Sequence, residues 1–197
     1  MNAADPLADG ISGHHQAILT ARHILDQRPV FLDTETTGLD YTAEIVEISI
    51  VDSDGIVLYQ SLVRPRAPIP VTAARIHHIT DRTVEQSPAW PDVWPIVRTH
   101  LAARLIAIYN DEYDLRLMQQ SHYTYRMPWT DRLNTACIMK LYAQFRGEWD
   151  AARRSYRYHS LANASAQCGL KLASSHRATA DALLTRSLLL YMASQVI

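Results

Sequence analysis

The chain has 197 residues, enough for one domain of ordinary size, and 48% hydrophobic against 20% charged content marks a globular protein with a substantial core. A formal net charge of −1 excludes a protein held on nucleic acid by bulk positive charge, while leaving room for contact through metals or a local basic patch. The two cysteines, Cys137 and Cys168, form no CxxC pair, which excludes a zinc ribbon and leaves them as small buried hydrophobes.

Residues 1–15 mix Gly, Asp, Ser and His without periodicity and lack the apolar stretch of a secretory signal. No run approaches the ~18 apolar residues of a membrane span, so no membrane association and a cytoplasmic, reducing location are expected. His14 and His15 lie in this lead-in without a second ligand pair, so no zinc site is expected there. A short helix is predicted over 16–27, ended by Pro29. Residues 1–27 read as an N-terminal extension and 28–197 as the main domain.

Three strands follow, "VFLDTE", "EIVEISIVD" and "IVLYQSLV", with a hairpin turn at Asp52–Gly55 between the second and third. Their closeness in sequence predicts antiparallel pairing. "VTAARIHHIT" reads as a short helix ending near His78, and "SPAWPDVWPIVRTHLA" as a longer one whose start Pro95 obscures. "RLIAIYN" is a strand and "DEYDLRLMQQSH" a helix; a further helix runs through "ACIMKLYAQF". "SLANASAQCGL" and the strongly amphipathic "ATADALLTRSLLLYMAS" complete the chain. The order predicts an α/β fold: a central mixed sheet of three antiparallel strands and later parallel ones, flanked by helices.

Three acidic groups carry the chemistry. Asp33 and Glu35 are two apart on a strand, so both point to one face; they are either a solvated strand end or half of a site for a hard divalent cation. Gly38, just beyond, permits close backbone approach or positive φ. Asp114 lies one turn into the helix after the "IAIYN" strand, deeper than the helix-start acids Asp111 and Glu112. Asp181 opens the last apolar stripe, with His176 five residues earlier. Five residues put two helical side chains about 140° apart, so the pair shares a site only if His176 precedes the helix, with Ser174 and Ser175 as suitable loop or N-cap residues. A helix N-terminus favours neutral imidazole, the form a general base needs. Strand ends and helix starts are where ligands gather in open α/β sheets.

In this order, "LDTETTGL", "IAIYNDEYDLRLM" and "HRATADA" resemble the three motifs of the DEDDh, or DnaQ-like, 3′–5′ exonucleases, which include the proofreading epsilon subunit of DNA polymerase III and ribonuclease T. The likeness covers about residues 28–193. Tyr109 and Tyr113 stand where the family has His and Phe, and His78 where it has Gly; Arg177 stands where the sibling class has Tyr.

The resemblance implies a ribonuclease H-like fold with a five-stranded mixed sheet. It further implies a hydrolase that releases 5′-mononucleotides from the 3′ end, with two Mg²⁺ or Mn²⁺ ions held by Asp33, Glu35, Asp114 and Asp181 and with His176 as general base. Thr36, Leu39, His77 and Asn110 are its candidate substrate-binding residues. The partner is nucleic acid with a 3′ end, single-stranded DNA or RNA, and a polymerase is a candidate partner. The alternative is a catalytically silent nucleic-acid-binding or polymerase-associated module on the same fold. Lys140–Tyr158, with five basic residues, two acids and interleaved Trp149, Tyr156 and Tyr158, is either a single-strand-binding segment or a mobile surface loop.

Overall fold

The seven residues Ile45–Val51 are all buried, and a strand covered on both faces is the centre of a layered α/β structure. The computed structural model describes residues 13–170 and 176–196. In chain order these form α1 (Gly13–Asp26), β1 (Val30–Thr36), β2 (Ile45–Val51), β3 (Val57–Leu62), α2 (Val71–His77), the single turn α3 (Asp81–Val84) and α4 (Trp90–Leu101). Then come β4 (Leu105–Ile108), α5 (Asp111–Thr124), β5 (Asn134–Cys137), α6 (Ile138–Arg146), the two-residue strands β6 (Trp149–Asp150) and β7 (Ser155–Tyr156), α7 (Leu161–Gln167) and α8 (Ala178–Ser194).

The main sheet has the order β3–β2–β1–β4–β5. The first three strands are antiparallel, and β4 and β5 continue parallel to β1. On β1, Phe31 joins a core cluster with Ile18 of α1, Tyr142 of α6 and Leu189 of α8. Leu32 joins the opposite cluster, with Trp90 and Val97 of α4 and Met118 of α5. Strand alternation therefore turns Asp33 and Glu35 toward α8, and Thr34 and Thr36 toward α5. Leu32 pairs with Ile108, the last residue of β4, so Asp33 and Glu35 lie beyond the point where β4 stops.

Several local expectations change. Ala136 and Cys137, expected in a helix, end the strand β5 in register with Ala107 and Ile108; pairing with a buried neighbour overrides the helical pattern there. The helix α4 runs through Pro95, which lies on its exposed side, because Trp90, Val93, Trp94 and Val97 hold the buried side. α8 is less one-sided than its sequence pattern predicts: it packs on β1 and β2 and also against α1 and α7. Gly38 does not adopt positive φ, and a Cβ there would meet Asp40 at an ordinary 3.8 Å. His78 takes the left-handed C-cap position of α2 with φ 60°, the conformation that makes glycine the usual residue at such a site.

The segment 146–158 is a hairpin, with Trp149 paired to Tyr156, rather than a structureless loop. Two of its four arginines face its own acids, Arg146 on Glu148 and Arg153 on Asp150, and Lys140 just before it pairs with Glu112.

α1 is built into the core rather than laid on it. Ile18 is fully buried between α6 and α8. Ile18→Ala is expected to lower the unfolding free energy by about 2–5 kcal/mol, measured as a shift of the urea midpoint at constant m.

Candidate active site

At the end of β1, carboxylate oxygens of Asp33, Glu35 and Asp181 lie within 4.8 Å of one another. Asp33 and Glu35 arrive from one face of the strand, and Asp181 from the first turns of α8 above that face. Asp114 comes from the other side, on the first turn of α5, where the Thr34 hydroxyl donates to its Oδ1 at 2.7 Å. Its charge is the largest electrostatic influence on Asp33 after burial. The site is thus assembled from both faces of one strand at the end of its parallel neighbour.

Burial and mutual repulsion shape its electrostatics. Burial, then Asp114, Asp181 and Glu35, hold Asp33 well above the usual carboxylate range. Glu35 is pushed up to about 8 by burial and by Asp181 and Glu47. Asp114 is pushed up to about 7 by burial, against the Thr34 hydrogen bond. Asp181 is raised by burial, opposed by the charge and the backbone N–H of His176. Such a set binds protons or hard divalent cations and is costly with neither. Oxygen donors at this spacing fit Mg²⁺ or Mn²⁺.

The start of α8 is fixed by a residue that sequence reading passes over. Glu47 of β2 is fully buried and faces Glu35 across the antiparallel pair. Arg177 Nε donates to its Oε2 at 3.0 Å and Arg177 Nη2 to its Oε1 at 2.5 Å, while the Ala178 N–H donates to Oε2 at 3.0 Å. Burial raises Glu47, but these donors and Gln60 outweigh it and hold its pKa low. Glu47 therefore caps α8 from another element, and Thr179 adds a hydroxyl bond to Ser49 at 2.8 Å. A glutamate inside the otherwise apolar run "IVEISIV" was the available signal, since a buried carboxylate needs a cation.

His176 lies ahead of α8, before the Arg177 N-cap, exposed and with φ 68°. Ser174 and Ser175 lie outside the described residues.

Thr36 Oγ1, Tyr113 Oη and the Gly38 carbonyl lie 2.8–2.9 Å from one another, so two hydroxyl hydrogens serve three contacts. His77 is buried with both ring nitrogens engaged: Nδ1 accepts from the Ile79 N–H at 3.0 Å, which makes Nε2 the donor to the Thr36 carbonyl at 3.2 Å. Leu39 stands 80% exposed at the rim of a cavity of about 550 Å³ that Glu35, Thr36, Ile76 and His77 also line. Asn110 adopts the left-handed conformation at the start of α5, and its side chain makes no capping bond there.

Comparison with known proteins places this geometry. The exonuclease family RNase_T matches residues 30–189. The uncharacterized exonuclease CP81 of Escherichia phage 186 is 40% identical over 171 residues, covering 84% of this chain and 88% of that protein. DNA polymerase III subunit epsilon of Treponema pallidum is 27% identical over 156 residues, covering 76% and 69%. Among solved structures, Exonuclease X in complex with 5′ overhanging duplex DNA is similar with a TM-score of 0.62 at 28% identity, covering 83% of this chain and 89% of that one. The nuclease domain of 3′hExo, a DEDDh family member bound to rAMP, shares the fold with a TM-score of 0.65 at 14% identity, covering 82% and 89%. The chain belongs to the RNase_T exonuclease family.

The electrostatics of the site can be tested through stability. Glu35 ionises near 4.5 when exposed and near 8 in the fold, so between those values the folded chain binds more protons and loses stability as pH rises. In chelator, Tm is expected to fall from pH 5.5 to pH 8, and Mg²⁺ to raise Tm more at pH 8 than at pH 5.5. A flat Tm in chelator contradicts the raised pKa. Separately, Arg177→Met strands a buried carboxylate at a cost of about 2–4 kcal/mol, below the 3–5 typical of a buried pair, because Arg177 is 44% exposed. The Glu47→Gln, Arg177→Met double variant is expected to regain some of that loss in chemical denaturation.

Proposed function

We propose that this protein removes 5′-mononucleotides from the 3′ end of single-stranded DNA or RNA, using two Mg²⁺ or Mn²⁺ ions and a histidine general base. The observation that carries this reading is the convergence of Asp33, Glu35 and Asp181 within 4.8 Å, beside a fourth carboxylate steered by Thr34. Asp33, Glu35, Asp114 and Asp181 would hold the ions. When bound, the ions make a water acidic enough to attack at neutral pH and stabilise charge on the leaving oxygen.

The other residues bind, orient and move the proton. His176 takes the proton from the attacking water; its place outside the helix leaves the imidazole accessible. The backbone near Thr36 receives the terminal 3′-hydroxyl, and Leu39 separates the last two bases. His77 acts through Thr36 as a positioning residue, since its ring nitrogens are both engaged by the chain. Asn110 supports the start of α5 through its backbone, its carbonyl accepting from the Tyr113 N–H at 2.9 Å. The likeness to a polymerase III epsilon subunit supports a polymerase as partner, and two free cysteines fit a cytoplasmic, reducing location.

The test is mononucleotide release from 3′-labelled DNA and RNA with Mg²⁺, Mn²⁺ or EDTA. Release is expected only with metal. Asp33→Asn is expected to lower turnover by about 100-fold or more, beyond the roughly 10–100-fold that loss of an outer partner of a metal ligand costs. His176→Ala is expected to lower it by about 10²–10⁴-fold, the usual worth of a general base, with Mn²⁺ affinity by calorimetry kept. Loss of Mn²⁺ binding in His176→Ala would instead make the histidine a ligand.

A further inference from the structure

The turn between β1 and β2 has two sides. One faces the cavity beside Glu35, with Leu39 and Asp40 on its wall. The other, starting at Tyr41 and Thr42, walls a separate groove of about 960 Å³. Arg66 lines that groove from the segment after β3, and Tyr123, Arg126 and Met127 line it from the end of α5.

The chemistry of this second groove is cationic and aromatic. Tyr41 and Tyr123 are 82% and 86% exposed. The Arg66 guanidinium lies 5.8 Å from the Tyr125 ring centre and donates to the Thr124 carbonyl at 2.9 Å, which fixes it at the groove floor. Arg116 stacks over Tyr41 at 5.1 Å. Two acids adjoin the groove, and both are engaged. Glu44 accepts the N–H groups of Arg66 and Ala67 at 2.9–3.1 Å, and Asp40 accepts from the N–H and hydroxyl of Thr42 at 2.6–2.7 Å.

The turn is braced from behind. Tyr113 donates to the Gly38 carbonyl at 2.8 Å, Arg116 to that of Leu39 at 3.3 Å, and Gln120 to those of Asp40 and Ala43 at 3.2 and 3.0 Å. A braced ridge with an apolar crest, between a carboxylate site and a cationic aromatic groove, can hold the strands of a duplex end apart.

We propose that the groove of Tyr41, Arg66, Tyr123 and Arg126 binds the uncleaved strand of a nucleic-acid duplex end, while the 3′ strand enters the carboxylate site on the other side of Leu39. Phosphates meet the two arginines and a base stacks on an exposed tyrosine, the combination that holds a single strand without sequence preference. The inference rests on the 3′-exonuclease reading for the direction of the cut strand, and its test is a binding measurement that needs no catalysis.

The test uses the full chain in EDTA and fluorescence anisotropy with two probes: a duplex with a 5′ overhang, and a single strand with the same 3′ sequence. The variants are Tyr123→Ala and Arg126→Asn; asparagine tolerates the left-handed conformation that Arg126 adopts at φ 53°. Each is expected to weaken duplex binding by about 5-fold or more and leave single-strand binding within about twofold, and Arg126→Asn to lower the salt slope of duplex binding by about one. Unchanged duplex affinity, or equal loss on both probes, overturns the proposal. So does displacement of the wild type's duplex by an acidic peptide that binds the variants normally, which would place a protein elsewhere on this face. A protein that binds as expected but releases no mononucleotide with metal refutes the nuclease reading and leaves the groove assignment standing.

Discussion

The pair between the buried Glu47 and the half-exposed Arg177 is the interaction on which the arrangement of the site depends. β1 and β2 set two glutamates directly opposite each other, a pairing that is unfavourable without a cation. Arg177 supplies that cation, and in doing so draws the first turn of α8 onto β2. Asp181 then lies one turn on, over Asp33 and Glu35, and His176 lies just before the helix on the solvent side. A buried ion pair is weak evidence for stability in general. Here its value is positional, because a shift of α8 along β2 would take two functional side chains with it.

The remaining acids sit where the sheet itself creates room. β1 outruns its parallel neighbour β4, and the chain after β4 turns back as α5 at that opening. Residues from both faces of β1 can therefore converge: Glu35 and Asp33 directly, and Asp114 through Thr34. The register shift between Glu35 and Thr36 re-aims the strand at the same place, as bulges beside active sites commonly do. The raised pKa values express the mutual repulsion of carboxylates that the fold has concentrated, which a divalent cation would relieve.

Much of this is legible from local pattern. A D-x-E pair on a strand shares a face by geometry alone, and five residues between His176 and Asp181 require the histidine to stand outside the helix. The motifs supply the order, and the three-strand start follows from turn chemistry at Asp52–Gly55. What is not legible depends on partners far away in sequence. β5 is a strand because β4 pairs with it, although its residues continue smoothly into α6. The role of Glu47 needs Arg177, 130 residues later. The basic segment after Lys140 is readable from sequence as a binding segment or as a loop, and the pairing of Lys140 with Glu112 on α5 could not be seen there. The cationic aromatic groove leaves no local pattern because its residues come from three separate stretches.

The meeting of α1 with α8 bears on how the fold closes. Arg22 donates to the carbonyls of Ala193 and Gln195 at 2.9 and 2.8 Å, and the two helices share one core cluster with β1. α1 thus completes its packing only against α8, a long-range closure of the kind that slows folding. Asp181 lies on the same helix. A chain lacking α8 would have neither its full core nor its full set of carboxylates, so packing and site are completed by the same helix.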